Sequence, residues 1–73
     1  MVKDAVTFPQ SSSVDRAEWD EDSGLMTVWF TTGSSYNYHG INAAMWSGFK
    51  SSESAGSYLH RHIRGRFRTD RVE

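Results

Sequence analysis

Apolar and polar residues alternate through the middle of the chain, and apolar residues recur at helical spacing closer to its end. Alternation with a period of two is typical of a strand with one buried face, whereas a period near 3.6 is typical of an amphipathic helix. The change from one period to the other predicts a β-hairpin that leads into helices. The alternating apolar positions are Met26, Val28 and Phe30 before Gly33, and Tyr36 and Tyr38 after it.

Three strands are predicted from these patterns. They cover Val14–Trp19, Leu25–Thr31 and Ser35–His39, with a polar turn over residues 20–24. The apolar positions of the first strand do not share one parity, which favours a β-bulge near Asp15 or Arg16.

The loop of the hairpin fixes which residues face each other across it. A two-residue loop at Thr32 and Gly33 would place Trp29 opposite Tyr36. A three-residue loop ending at Gly33 would place Val28 opposite Tyr36 and Met26 opposite Tyr38. We favour the second, because a bulged three-residue loop needs a left-handed residue at its third position, where glycine is the least strained choice.

Two helices follow the hairpin. Asn42 is a good N-cap for the first, which runs to about Lys50, and Ser52 or Ser54 is the candidate cap of the second, which runs to about Arg68. The predicted fold is α+β, with a three-stranded antiparallel sheet followed by two C-terminal helices packed on one face. The predicted organisation is a flexible N-terminal arm (1–10), one domain (11–69) and a short tail (70–73).

Size and charge narrow the function. A chain of 73 residues accommodates one small domain, and three Trp, four Phe and three Tyr supply much of its core. The net charge is −1, but residues 1–49 carry a net of −4 and residues 50–73 a net of +3. Such asymmetry indicates a charged partner surface.

The ordered set of these motifs resembles the KTSC domain, a module named for its occurrence at the C-terminus of some lysyl-tRNA synthetases. The resemblance extends over about residues 12–67, although Ile41-Asn42, Leu59 and His60 depart from the family's Val-Pro, Phe and Asn. It implies an α+β domain and suggests RNA as a partner. Small free-standing members, including phage proteins, also resemble this chain. The matching positions are Ser12, Ser13, Met26, Val28, Phe30, Gly33, Tyr36, Tyr38, Ser54, Gly56, Tyr58, Ile63 and Arg64.

The aromatic residues of the sheet have two interpretations. Tyr36 and Tyr38 share a face with the apolar positions of the preceding strand, so we expect them to lie in the core, with base stacking as the alternative. On that expectation the opposite face carries Trp29, which becomes the better contact residue.

The second helix carries a basic face. Arg61, Arg64 and Arg68 are spaced to project on one side, with Arg66 and His60 nearby. This face either neutralises phosphates or is simply solvated.

Other chemistry is not expected. The chain has no Cys, and its histidines and carboxylates lack metal-ligand spacing, so neither a metal nor a cofactor is predicted. The chain also lacks a nucleophile elbow, and we expect it not to be an enzyme. A signal peptide and a membrane span are not expected either, which favours a cytoplasmic protein. The sequence thus predicts a small binding module for RNA or another nucleic acid, with docking on a host protein as the alternative.

Overall fold

The fold is α+β, with an antiparallel sheet whose strand order follows the chain, β1-β2-β3-β4-β5. The computed structural model describes residues 3–72. The strands are β1 (Lys3–Thr7), β2 (Val14–Asp20), β3 (Leu25–Phe30), β4 (Ser35–Tyr38) and β5 (Thr69–Arg71). Between β4 and β5 lie α1 (Ala43–Ser51), α2 (Ala55–Tyr58) and a π-helical turn (Leu59–Ile63) that continues α2.

The predicted hairpin register is confirmed. Met26 pairs with Tyr38 and Val28 with Tyr36, as the three-residue loop requires. Gly33 has a φ of 95°, a left-handed conformation that side-chain-bearing residues rarely adopt. The register of β2 also shifts between Val14 and Arg16, where the bulge was predicted. The shift allows Val14, Ala17 and Trp19 all to be buried despite their mixed parity.

The sheet has five strands, and the prediction of three is wrong. Residues 3–7, assigned to a loose arm, form β1 on the outer side of β2. Residues 69–71, assigned to the end of the domain and its tail, form β5 beside β4. Residues 1, 2 and 73 of the predicted arm and tail lie outside the described residues.

The helix caps follow the prediction, but the second helix is shorter than expected. The Asn42 side chain accepts a hydrogen bond from the Met45 amide at 2.9 Å, and Ser54 caps α2. The helical segment ends at Ile63 and not near Arg68. Gly65, with a φ of 80°, turns the chain back towards the sheet.

The core lies between the helices and one face of the sheet. Trp19 from β2 stacks on Trp46 from α1 with ring centroids 5.9 Å apart, and the Trp19 indole donates a hydrogen bond to the Ile41 carbonyl at 2.8 Å. Phe49 from α1 and Ile63 from the π turn are fully buried in the same cluster. The packing therefore leaves the opposite face of the sheet without a helical layer.

The edge strand β1 is fastened to α1 by a charged contact. The Asp4 carboxylate accepts hydrogen bonds from the Lys50 ammonium at 2.7 Å and from the Trp46 indole at 2.9 Å. These bonds lower the pKa of Asp4 from its ordinary 3.8 to about 2. Within residues 3–72, no helix is both long and apolar enough to cross a membrane.

Candidate functional site

A groove of about 770 Å³ runs between the sheet and the α2–π segment, at the side of the core where β5 joins β4. Its volume falls within the range of about 300–1,000 Å³ that is common for ligand sites. Its walls combine aromatic rings, hydroxyls and cationic side chains. The lining residues are Ser12, Ser13, Phe30, Thr32, Ser34, Tyr36, Tyr38, Ser54, Gly56, Ser57, Leu59, His60, Arg61, Arg64 and Thr69.

The π turn places two arginines on the groove wall. The Arg64 amide donates to the Leu59 carbonyl at 2.7 Å, a bond that spans one residue more than in an α-helix. Leu59 and Ile63 are buried, which anchors the turn to the core. Arg61 and Arg64 are exposed and line the groove.

Neither groove arginine is neutralised by a neighbouring carboxylate. The ion pairs found within residues 3–72 use other cations, so the guanidiniums of Arg61 and Arg64 have no acidic partner in that part of the chain. Among the described residues that line the groove, the only charged ones, His60 aside, are these two. The groove therefore has a positive end that is open to an anion.

The predicted basic face is divided by the early end of the helix. His60, Arg61 and Arg64 reach the groove, whereas Arg66 and Arg68 are exposed but do not line it. Because the chain leaves the helix at Ile63, the spacing that was expected to align Arg68 with the other two does not apply.

The tyrosine pair contributes to both the core and the groove. Tyr38 is only 4% exposed and belongs to the core, while Tyr36 is half-buried with its ring edge-on to Phe30 at 5.7 Å. Both also line the groove. The Tyr38 hydroxyl has no hydrogen-bond partner among residues 3–72. Every fully buried side-chain oxygen in that range does have a partner, so this hydroxyl is not fully buried and is open to the groove.

Arg64 acts electrostatically on the Tyr38 hydroxyl. Burial raises the pKa of Tyr38, and the positive charge of Arg64 partly opposes that rise. The guanidinium and the phenol both line the groove, where the first can donate charge-assisted hydrogen bonds and the second a neutral one.

Trp29 lies on the other side of the sheet from the groove. It alternates with the buried Val28, and its ring is covered by the Arg16 guanidinium at 3.8 Å. It is half-buried, not fully exposed. The structure thus separates Trp29 from the arginines with which it was grouped as a candidate contact residue.

Several groove residues were recognised from the sequence only as motif positions. The serines that enter β2 face the start of α2, where Gly56 approaches the Ser13 hydroxyl so closely that a methyl group on Gly56 would collide with it. Ser57 and Thr69 were not singled out at all. The motif positions Ser13, Tyr36 and Arg64 are far apart in the chain, but the structure brings them together on the wall of one groove. Membership of the motif was therefore the feature of the sequence that pointed to this site.

Comparison with known proteins agrees with this fold. The crystal structure of a KTSC domain protein from Yersinia pestis superimposes with a TM-score of 0.88 at 21% identity, covering 99% of this chain and 100% of that one. A search of curated protein sequences finds no match to the chain. The family model of the KTSC domain matches residues 10–67, which is most of the sequence. The chain belongs to the KTSC domain family.

Proposed function

We propose that this protein is a small, non-catalytic nucleic-acid-binding module, with single-stranded RNA as its ligand and the groove beside the π turn as its site. The observation that carries the proposal is the pair of exposed arginines, Arg61 and Arg64, which lack acidic partners among the described residues and face a groove with aromatic and hydroxyl groups.

Each feature of the groove suits a single strand. Guanidiniums neutralise phosphates, and aromatic rings such as that of Tyr36 offer a surface on which an unpaired base can stack. Seryl hydroxyls on both walls can donate to phosphate or sugar oxygens. A duplex is a poorer fit, because its bases are already stacked and the positive surface here is confined to one end of a groove.

A salt series with matched variants tests the proposal. Filter binding of single-stranded RNA should weaken with salt, and Arg61→Ala combined with Arg64→Ala should lower affinity and flatten the slope of log affinity against log salt by between about one and two units. The control is Arg66→Ala combined with Arg68→Ala, which removes the same charge from residues outside the groove.

The control separates site binding from general electrostatics. If both double variants lose affinity equally, the groove is not the site. If the wild-type protein binds no RNA even at low salt, the nucleic-acid proposal fails.

Protein docking is the second candidate function. It is favoured by the Trp29 and Arg16 pair on the sheet face that no helix covers, since tryptophan and arginine are enriched where proteins contact each other. Docking through this face should depend little on salt, and Trp29→Ala should weaken it while leaving the groove intact.

A further inference from the structure

The groove has a sharply uneven charge distribution along its length. It adjoins a second cavity of about 330 Å³, and the two share Ser12, Ser13 and Ser54. Among the described residues, Glu53 is the only charged one that lines the second cavity, whereas Arg61 and Arg64 line the main groove and not the second cavity. A polyanion that occupied both cavities would therefore meet favourable charge at one end and unfavourable charge at the other.

The two arginines of the groove suit one doubly charged phosphate group better than a series of singly charged phosphodiesters. Arg61 and Arg64 lie three residues apart across the π turn and both face the groove. A phosphate monoester carries a charge of about −1.5 to −2 at neutral pH, whereas each internal phosphodiester of a strand carries one. Two guanidiniums without acidic partners among the described residues can neutralise such a monoester fully.

Neutral donors at the same end add hydrogen-bonding capacity. The Tyr38 hydroxyl is open to the groove and lies within the electrostatic influence of Arg64. Ser57 also lines the groove, one helical turn before Arg61. A terminal phosphate has three oxygens free to accept hydrogen bonds, one more than an internal phosphate, and so can use these donors together with the arginines.

The rest of the chain restricts the length of strand that can be held. The net charge of the protein is −1 and residues 1–49 carry a net of −4, so the positive charge beyond the groove is concentrated in the C-terminal segment that holds Arg66 and Arg68. Tyr36 is half-buried and lines the same groove as the two arginines, where its ring can take one neighbouring base.

We infer that the Arg61 and Arg64 end of the groove binds the terminal phosphate monoester of a single strand, with the adjoining nucleotide against Tyr36. The inference rests on the proposed function and specifies which part of the nucleic acid the site recognises. Both strand ends offer this chemistry, as a 5′-phosphate or as a 3′-phosphate.

Fluorescence anisotropy with three strands of one sequence tests the inference. Each is a single-stranded RNA of about eight nucleotides, within the range contacted by one single-strand-binding domain, and carries its fluorophore on an internal base. One has a 5′-phosphate, one a 3′-phosphate and one hydroxyls at both ends. We expect one phosphorylated strand to bind at least about tenfold more tightly than the hydroxyl strand, as for the gain of a charge-assisted hydrogen bond.

Variants then assign that preference to the groove. Arg61→Ala and Arg64→Ala should each remove most of the phosphate preference, and Arg64→Lys should keep only part of it, because lysine lacks the planar fork of arginine. Arg66→Ala should keep the preference, since Arg66 does not line the groove. Circular dichroism of each variant shows whether the fold is retained.

The outcomes distinguish recognition of a terminal phosphate from RNA binding in general. Equal binding of all three strands by the wild-type protein would overturn the terminal-phosphate inference and leave RNA binding in place. A phosphate preference that survives in the Arg61→Ala plus Arg64→Ala variant would also overturn it. Binding of none of the strands would overturn both and leave protein docking as the function to pursue.

Discussion

Tyr38 offers a direct test of whether a tyrosine that lines the groove also stabilises the core. Tyr38→Ala removes an aromatic side chain that is 4% exposed and packs in the core between the sheet and the π turn. Burial of about 150–250 Å² at about 25 cal/mol per Å² gives an upper limit of about 4–6 kcal/mol, and aromatic-to-alanine changes in cores cost about 3–5 kcal/mol. We therefore expect a loss of about 3 kcal/mol or more.

Such a loss is large for this chain. A domain of 73 residues has a free energy of unfolding of about 4–11 kcal/mol, so Tyr38→Ala should lower the melting temperature by about 12 °C or more. Tyr38→Phe is the matched control, because it keeps the ring and removes only a hydroxyl that has no hydrogen-bond partner among residues 3–72. Its effect on stability should stay within about 0.5 kcal/mol.

Thermal melts and urea titrations followed by circular dichroism measure both variants. If Tyr38→Ala remains folded with an unchanged melting temperature, the assignment of Tyr38 to the core is wrong. If Tyr38→Phe is as destabilising as Tyr38→Ala, the hydroxyl has a structural partner and is not open to the groove.

Three further changes test separate parts of the fold. Gly33→Val should cost more than about 1–2 kcal/mol and lower the melting temperature, because a β-branched residue is strained at a φ of 95°; an unchanged melt would contradict this. Asn42→Ala should cost about 0.5–2 kcal/mol in a urea titration through loss of the α1 cap, whereas a loss below that range would show the cap to be dispensable. Asp4→Asn should lower the melting temperature at neutral pH. Because its folded pKa of about 2 lies below the ordinary 3.8, the difference from wild type should shrink as pH drops from about 4 towards and below about 2, and a difference that keeps its neutral-pH size at pH 2 would refute the contact with Lys50 as its cause.

The central hairpin could be predicted because two independent constraints agree on it. The alternation of apolar residues selects the buried face, and Gly33 selects the loop length that brings Met26 opposite Tyr38. The bulge in β2 was predictable for a similar reason, since only a register shift reconciles Val14 with Trp19 on one face. Local sequence determined these features.

The edge strands could not be predicted, because tertiary pairing determines them. β5 is three exposed residues without an apolar side chain, and its pairing with β4 is supported by the contact of Asp70 with His39 at 2.7 Å. β1 buries little beyond Val6 and is held by the distant contact of Asp4 with α1. Neither strand carries the pattern that marks a half-buried strand.

The site was predicted in parts but not as a whole. Arg61 and Arg64 were identified from the sequence. The apolar periodicity also predicted a helix that extends to Phe67, but Phe67 packs against the core from the loop that follows the helix. Gly65 was the local signal for a helix end that could have corrected this. The meeting of arginines and tyrosines depends on how the π turn docks, which no short-range pattern reports.

The pairing of β4 with β5 has a consequence for the order in which the molecule assembles and opens. β1 to β4 form successive hairpins between neighbours in the chain, whereas the contact of Tyr38 with Thr69 must close a loop that contains every helix. Closing that loop costs the most chain entropy, so β5 should join the sheet last during folding and detach first in local unfolding. Amide hydrogens of residues 69–71 should then exchange with solvent well before those of β2 and β3. Since Thr69 lines the groove, detachment of β5 would remove one part of the groove wall while the core stays folded.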